Sequence, residues 1–233
     1  MSVNLPVPPA PWIPSERFLS QLDWLALFGN SNPVEIELGA GDGGFILAWA
    51  ARFPDMNFLA VERLLGRARK IVKRTRALGL TNLRVLRLES SYVVSRMCPP
   101  RSVARIHIMF PDPWPKRKHH KHRLIQIPFL EACHRALVPG GTVRFTTDHA
   151  EYFDTARKQW ATAHGWIEEG PWDASGDPPT DFQKMWEAQG RATYRTVWRT
   201  VPLPDQSWPD PLNFDPGTAR ELPDNGPPRL PSH

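Results

Sequence analysis

Cysteine is scarce in this chain: Cys98 and Cys133 are the two it has in 233 residues. They stand far apart and in no CxxC spacing, which leaves no basis for a disulfide scaffold, a zinc site or a CxxC redox motif. Long apolar stretches are missing too. No run approaches the roughly 18 apolar residues of a membrane span, and the N-terminus lacks the basic-then-apolar pattern of a secretory signal. These absences together predict a soluble protein of the reducing cytoplasm. No internal repeat is visible. Nor is the chain a polycation: its formal net charge of +5 is the difference between 29 basic and 24 acidic residues. An anionic partner is therefore expected to read local clusters of charge, not the total.

The length and the 41% hydrophobic content are enough for one large domain with a substantial core. The 26 prolines are unevenly spread. Residues 1–14 and 201–233 are rich in them and cannot form a packed core alone, so both are expected to be extended or disordered, flanking a folded body over residues 15–200. Within that body, strand-like runs at 34–38, 57–62, 83–89, 104–110 and 142–148 alternate with helical patterns at 43–53, 64–80, 124–137 and 150–165, and a short helix fits around 90–97. Gly140 and Gly141 read as a turn before the strand at 142. Repeated strand–helix units predict a doubly wound, mostly parallel α/β sheet with helices on both faces. Residues 191–201 alternate and are expected to close the fold as an antiparallel edge strand.

Residues 110–123, FPDPWPKRKHHKHR, are the most informative stretch. Pro111 and Pro113 end a buried strand by withholding donors and fixing φ, which leaves Asp112 at a rigid strand exit. In open α/β sheets ligands bind outside the carboxyl ends of the strands. Lys116, Arg117, Lys118, Lys121 and Arg123 add fixed positive charge, and His119, His120 and His122 add more below neutral pH. Trp114 beside these cations suits stacking on an unpaired base. The alternative is a solvated basic loop with Asp112 merely capping a turn. Metal binding is disfavoured, because five neighbouring cations repel a divalent ion and no Cys or carboxylate pair completes a ligand set.

After the first strand, Gly39, Gly41 and Gly44 match GxGxxG, and Glu62 ends the second strand about twenty residues on. That pattern serves a nicotinamide dinucleotide, and it also serves S-adenosyl-L-methionine, which needs the same close backbone approach and an acid for its ribose hydroxyls. Charge favours the second. Glu37 and Asp42 flank the glycines, where they would repel a pyrophosphate and attract an amino group and a sulfonium.

At this point the residues resemble a family. ExGxGxG from Glu37, AVE ending at Glu62, TNLRVL from Thr81, FPDPWPKRKHHKHR, PGG from Pro139 and TTDH from Thr146 are similar to the bacterial tRNA (guanine-N7-)-methyltransferases over roughly residues 33–200. The resemblance implies a seven-stranded class I methyltransferase fold and transfer of a methyl group from S-adenosylmethionine to N7 of the variable-loop guanosine, conventional position 46, of tRNA. It implies Glu37, Glu62, Glu89 and Asp112 as cofactor contacts, with Asp112 also catalytic and Lys116 and Asp148 on the substrate. Lys118, His119, His120, Lys121, His122 and Arg123 would contact RNA. A cytoplasmic protein with tRNA as its partner, no membrane, and no obligatory protein partner, monomeric or homodimeric, is the expectation that follows.

Two positions depart from the family's pattern. Glu89 stands where Asp is usual, one methylene longer and still an acceptor. The late TxxE motif falls on Thr180 and Gln183, the expected further substrate contacts, so its carboxylate is an amide here. Glu187 could compensate from one helical turn on. Two other functions remain open to the sequence: a noncatalytic RNA-binding protein on the same fold, and a methyltransferase of another RNA site. The chemistry favours transfer to N7, whose lone pair carries no proton, so that alignment rather than a strong base is the chief requirement.

Overall fold

The computed structural model describes residues 10–13, 20–180, 183 and 189–203. A short helix α1 (Trp24–Phe28) leads into alternating β1 (Val34–Leu38), α2 (Gly44–Arg52), β2 (Asn57–Val61), α3 (Leu65–Ala77) and β3 (Leu83–Leu86). There follow α4 (Ser90–Tyr92), which continues as a π-helical turn, then β4 (Val103–Met109), a 3₁₀ turn (Arg117–His122), α5 (Ile127–Ala136), β5 (Leu137–Thr147), α6 (Ala150–Thr162), β6 (Trp166–Gly170) and β7 (Tyr194–Thr200). The seven strands form one sheet in the order β3-β2-β1-β4-β5-β7-β6. Pairs from β3 to β5 are parallel, and β7 runs antiparallel to both β5 and β6.

The sheet is doubly wound because each parallel strand buries both faces. On one face Ile36, Leu59, Ile106, Val143 and Phe145 pack with α5, α6 and the π-helical turn. On the other Phe58, Ala60, Leu83 and Val85 pack with Phe45, Leu47 and Ile71 from α2 and α3. Trp160, fully buried, stacks on Trp198 at 5.4 Å and contacts Phe145 at 5.5 Å. Its loss to alanine would cost about 3–5 kcal/mol. Cys98 and Cys133 are free and buried in the first of these layers, and burial pushes the Cys98 thiol up to about 12, so neither is a thiolate at neutral pH.

Two sequence expectations are corrected, and two further segments prove to serve the fold. The closing segment is an interior strand, not an edge: β7 lies between β5 and β6, and the short, half-exposed β6 takes the edge. Gly140 and Gly141 lie inside β5 as a register shift against β4 and do not precede the strand as a turn. A Cβ on Gly141 would sit 2.9 Å from the Val138 carbonyl and 3.1 Å from that of Ala104, so glycine is needed for the close approach. Part of the Pro-rich N-terminal stretch packs: Val85 N–H donates to the Pro11 carbonyl at 2.6 Å, Ile13 N–H donates to the Val85 carbonyl at 3.0 Å, and Ile13 is buried. That segment covers the outer edge of β3. Within TNLRVL, Asn82 and Arg84 serve the fold. Asn82 Nδ2 donates to the carbonyls of Ala50, Phe53 and Met56, and the buried Arg84 donates to the Leu27 carbonyl at 2.7 Å while lying over the Phe28 ring.

Candidate active site

Strand order reverses between β1 and β4, and the loops leaving these neighbouring strands diverge to make a crevice. The loop after β1 turns through Gly39, Gly41 and Gly43, with φ of 76°, 57° and 80°. Only glycine adopts these angles without strain. A Cβ added at Gly39 or Gly41 would meet nothing within 4 Å, because both face the cavity that the turn encloses. At Gly43 the same atom would strike Ile71 at 2.9 Å, so this glycine lets α2 approach α3.

The cavity holds about 190 Å³ and is lined by Glu37, Gly39, Gly41 and Asp42, with Phe45, Arg67, Met109 and Thr180 among the other walls. Glu37 is 3% exposed at the end of β1. A carboxylate so deeply placed beside an open cavity is positioned for a cationic or hydrogen-bond-donating guest. Glu62 stands behind the turn: its carboxylate accepts from Gly41 N–H at 2.9 Å and from Leu64 N–H at 2.7 Å, tying the glycine turn to the end of β2. Asp42 faces the cavity, but Lys70 Nζ lies 2.5 Å from its carboxylate and takes up much of its charge. The repulsion of pyrophosphate argued from sequence therefore rests more on Glu37 than on Asp42.

Glu89 is exposed and caps α4, accepting from Ser91 N–H at 3.0 Å, Tyr92 N–H at 2.9 Å and the Ser91 hydroxyl at 2.7 Å. It stands three residues beyond the carboxyl end of β3.

The exit of β4 is held under backbone strain. Phe110 and Trp114 have φ of 53° and 43°, and each precedes a proline. Left-handed backbone costs an ordinary residue roughly 1–2 kcal/mol, and a following proline disfavours helical conformations further. Asp112 lies exposed between these two bends. Its charge adds to the elevation of Tyr152, which burial chiefly pushes up to about 12.

What holds the strained loop is Arg123. This residue was expected among the RNA-facing cations, yet it is 3% exposed. Its Nε donates to the Pro113 carbonyl at 2.8 Å, its Nη atoms meet the Glu151 carboxylate, and its guanidinium lies over the Tyr152 ring at 4.8 Å. In this arrangement it is a clamp for the loop and not an open phosphate contact. Lys116, Lys118, Lys121 and His122 are exposed; His119 and His120 are half-buried. Trp114 contacts His119 at 5.8 Å and His122 at 5.1 Å, forming an aromatic patch among the lysines.

Asp148 follows the last residue of β5, with its carboxylate 3.3 Å from Arg191. Thr180, expected with the substrate, lines the glycine-turn cavity, and its hydroxyl accepts from Gln183 N–H at 2.9 Å. Glu187, the expected compensator for Gln183, lies outside the described residues.

A polar network that the sequence reading did not single out lies under this site. Glu35, 5% exposed, accepts from Trp49 Nε1 at 2.9 Å and Arg105 Nη1 at 3.1 Å, and lies 2.8 Å from Nε2 of the fully buried His107. Burial works to raise Glu35, but the His107 hydrogen bond and the charges around it outweigh this and hold the carboxyl below its ordinary value. Burial lowers His107, so the imidazole is neutral and donates from Nε2. Arg144, paired with His107 across β4 and β5, stacks on Trp49 and Trp172 and bonds Asp177 at 3.1 Å. Trp172 Nε1 donates to the same Asp177 oxygen at 2.6 Å. This fastens the segment that ends at Thr180. The one sequence signal for it was that Glu35 must share a strand face with Glu37.

Among solved structures, the 16S rRNA methyltransferase KamB matches with a TM-score of 0.55 at 16% identity, covering 76% of this chain and 92% of that one. The antibiotic-resistance methyltransferase Kmr matches with a TM-score of 0.54 at 19% identity, covering 78% and 95%. The fold is that of class I methyltransferases, with the glycine turn at its switch point. A family described as "Putative methyltransferase" matches residues 31–196. The chain is 33% identical over 183 residues to a tRNA (guanine-N(7)-)-methyltransferase of Syntrophotalea carbinolica, spanning 77% of this chain and 79% of the relative. Proteins of the same name from Rubrobacter xylanophilus and Myxococcus xanthus are 34% and 43% identical, over 77% and 61% of their lengths. The chain belongs to this tRNA (guanine-N7-)-methyltransferase family of S-adenosylmethionine-dependent enzymes.

Proposed function

We propose that the protein transfers a methyl group from S-adenosylmethionine to N7 of the variable-loop guanosine at conventional position 46 of tRNA. The observation that carries this reading is the juxtaposition, at one switch point, of the glycine-turn cavity after β1 with the rigid Asp112 exit of β4 and its basic turn. The names of the relatives support tRNA as the substrate class.

The residues present suit the methyl donor. Gly39 and Gly41 leave the cavity open where a side chain would fill it, Glu37 offers a buried carboxylate, and Glu62 fixes the turn. When bound, S-adenosylmethionine supplies a methyl group activated by its sulfonium. Guanine N7 brings a lone pair and no proton, so the protein has chiefly to align the partners and to stabilise the positive charge that the base acquires. Asp112 supplies the opposing negative charge, and Asp112 and Asp148 accept from the guanine N1–H and exocyclic amine. Lys116, Lys118 and Lys121 hold phosphates, with Trp114, His119 and His122 as the aromatic surface beside them. Arg123 keeps the loop in place. A tRNA substrate and two cysteines buried as free thiols support a cytoplasmic location.

Incubation with unmodified tRNA and methyl-labelled S-adenosylmethionine, followed by mapping of the label, tests the proposal. Label on a variable-loop guanine is expected; no incorporation, or label on another base, contradicts it.

A further inference from the structure

The basic turn is not the only concentration of positive charge among the described residues. Helix α3 carries Arg67, Arg69, Lys70, Lys73, Arg74 and Arg76 and no acidic residue. Lys70 is paired with Asp42, and Arg74 donates to the Asp42 carbonyl at 2.8 Å. Among the described residues, no carboxylate lies within ion-pair distance of Arg69, Lys73 or Arg76. These three fall at i, i+4 and i+7, so they share one face of the helix, and like charges at that spacing destabilise it by a few tenths of a kcal/mol per pair.

That face is the wall of a groove of about 540 Å³, lined by Trp12, Leu65, Arg69, Val72, Lys73 and Arg76. Trp12 is held in place by the backbone bonds that bind Pro11 and Ile13 to Val85, and its ring remains part-exposed. The groove and the active-site cavity share the helix and not a wall: Arg67 of α3 lines the glycine-turn cavity, on a different face from Arg69, Lys73 and Arg76. From Arg67 to Arg76 the helix advances roughly 14 Å.

We propose that this groove is a second RNA-binding surface, on which Arg69, Lys73 and Arg76 take successive backbone phosphates of the tRNA while Trp12 contacts a base or sugar. The identity of the polyanion rests on the function proposed above. The occupant is a nucleic acid and not a membrane, because the site is a concave groove with a recessed floor, Val72 being only 8% exposed, whereas lying in a membrane interface needs a continuous exposed apolar face. Cations flanking an aromatic on a groove fit a strand of RNA.

The test is binding of unmodified tRNA to the full chain at several salt concentrations, for wild type and for Arg69→Ala/Lys73→Ala/Arg76→Ala. All three side chains are exposed on a helix and alanine favours helix, so folding is retained. The variant is expected to bind about tenfold more weakly or worse, with the slope of log affinity against log salt flattened by roughly 2 to 3. Its calorimetric affinity for S-adenosylmethionine should be unchanged, and Arg69→Lys/Arg76→Lys should keep the wild-type slope. An unchanged tRNA affinity and slope overturns the proposal. So does a loss of S-adenosylmethionine binding, which would mean that the cavity had been disturbed. Loss of binding to phosphatidylserine vesicles, with tRNA binding intact, also overturns it by assigning the face to a lipid surface. The readout is binding, so a wild-type protein that binds tRNA but transfers no methyl group would contradict the activity and leave this surface standing.

Discussion

Arg123 and Glu151 meet at two points, Nη2 to Oε2 at 2.5 Å and Nη1 to Oε1 at 3.1 Å, and so fasten the base of the basic turn to α6. The Arg123 side chain is 2% exposed and that of Glu151 is 51% exposed, so the pair joins a desolvated cation to a carboxylate in water. The Arg123 hydrogen bond, joined by one from Thr155, holds the Glu151 carboxyl down at about 2.

Glu151→Gln should therefore loosen the loop that carries Asp112. The expected stability loss is about 1–2 kcal/mol, at the lower end because water screens the exposed partner. The carboxyl is depressed in the folded state, so its contribution is present above the ordinary carboxylate range and is lost as pH falls from about 4.5 towards 2. Urea unfolding of both proteins between pH 7 and pH 2.5 checks this: the gap should be widest at neutral pH and should close with acid.

Asp112→Asn should leave folding and tRNA affinity nearly intact while lowering kcat by roughly 10² to 10³, because it keeps the shape and removes the charge facing the developing cation. Single-turnover rates with saturating tRNA measure this. A rate close to wild type would remove Asp112 from the chemistry.

Lys118→Ala/Lys121→Ala should weaken binding to all tRNAs about equally and flatten the salt slope by roughly 0.7 to 0.9 per lost phosphate contact. Titrations against two tRNAs of different sequence decide it. Arg123→Ala is expected to behave differently, reducing kcat and thermal stability as well, since that side chain holds the Pro113 carbonyl and Glu151.

Gly41→Ala forces an L-residue to φ of 57° and places a methyl group in the cavity. A stability loss of about 1–2 kcal/mol and at least tenfold weaker S-adenosylmethionine binding are expected, with tRNA affinity preserved. Calorimetry with each ligand separates the two.

Buried Glu35 and His107 make stability depend on acid. His107 is depressed by burial, so below its unfolded value near 6.5 the unfolded chain binds a proton that the native imidazole refuses. Stability should fall between pH 7 and pH 5, and Glu35, also depressed, adds a further loss below about 4.5. His107→Gln, which retains a donor for Glu35, should flatten the dependence between pH 7 and pH 5 in denaturant titrations.

Much of this was legible in the sequence. Strands β1 to β4 fall within a few residues of expectation, because buried parallel strands are short apolar runs bounded by turn residues. The glycine turn was legible for the same local reason, since its angles are ones that glycine alone adopts freely. Interactions between distant residues were not. β6 is a short, partly polar segment that becomes a strand by pairing with β7, and that pairing turned an expected edge into an interior strand. Arg123 stands in a run of cations that looks uniform, and only the fold brings Glu151 and Tyr152 to it. Ile13 reads as part of a Pro-rich extension until β3 offers it an edge. His107 lies in an apolar run, and its partner Glu35 is 72 residues away.

The central claim is transfer to N7, and the most direct measurement compares two tRNAs that differ in that atom alone. One carries guanosine in the variable loop at position 46 and the other carries 7-deazaguanosine there, and each is incubated with the protein and methyl-labelled S-adenosylmethionine. The account predicts incorporation approaching one methyl group per molecule for the first tRNA and none above background for the second. Equal labelling of both would contradict it.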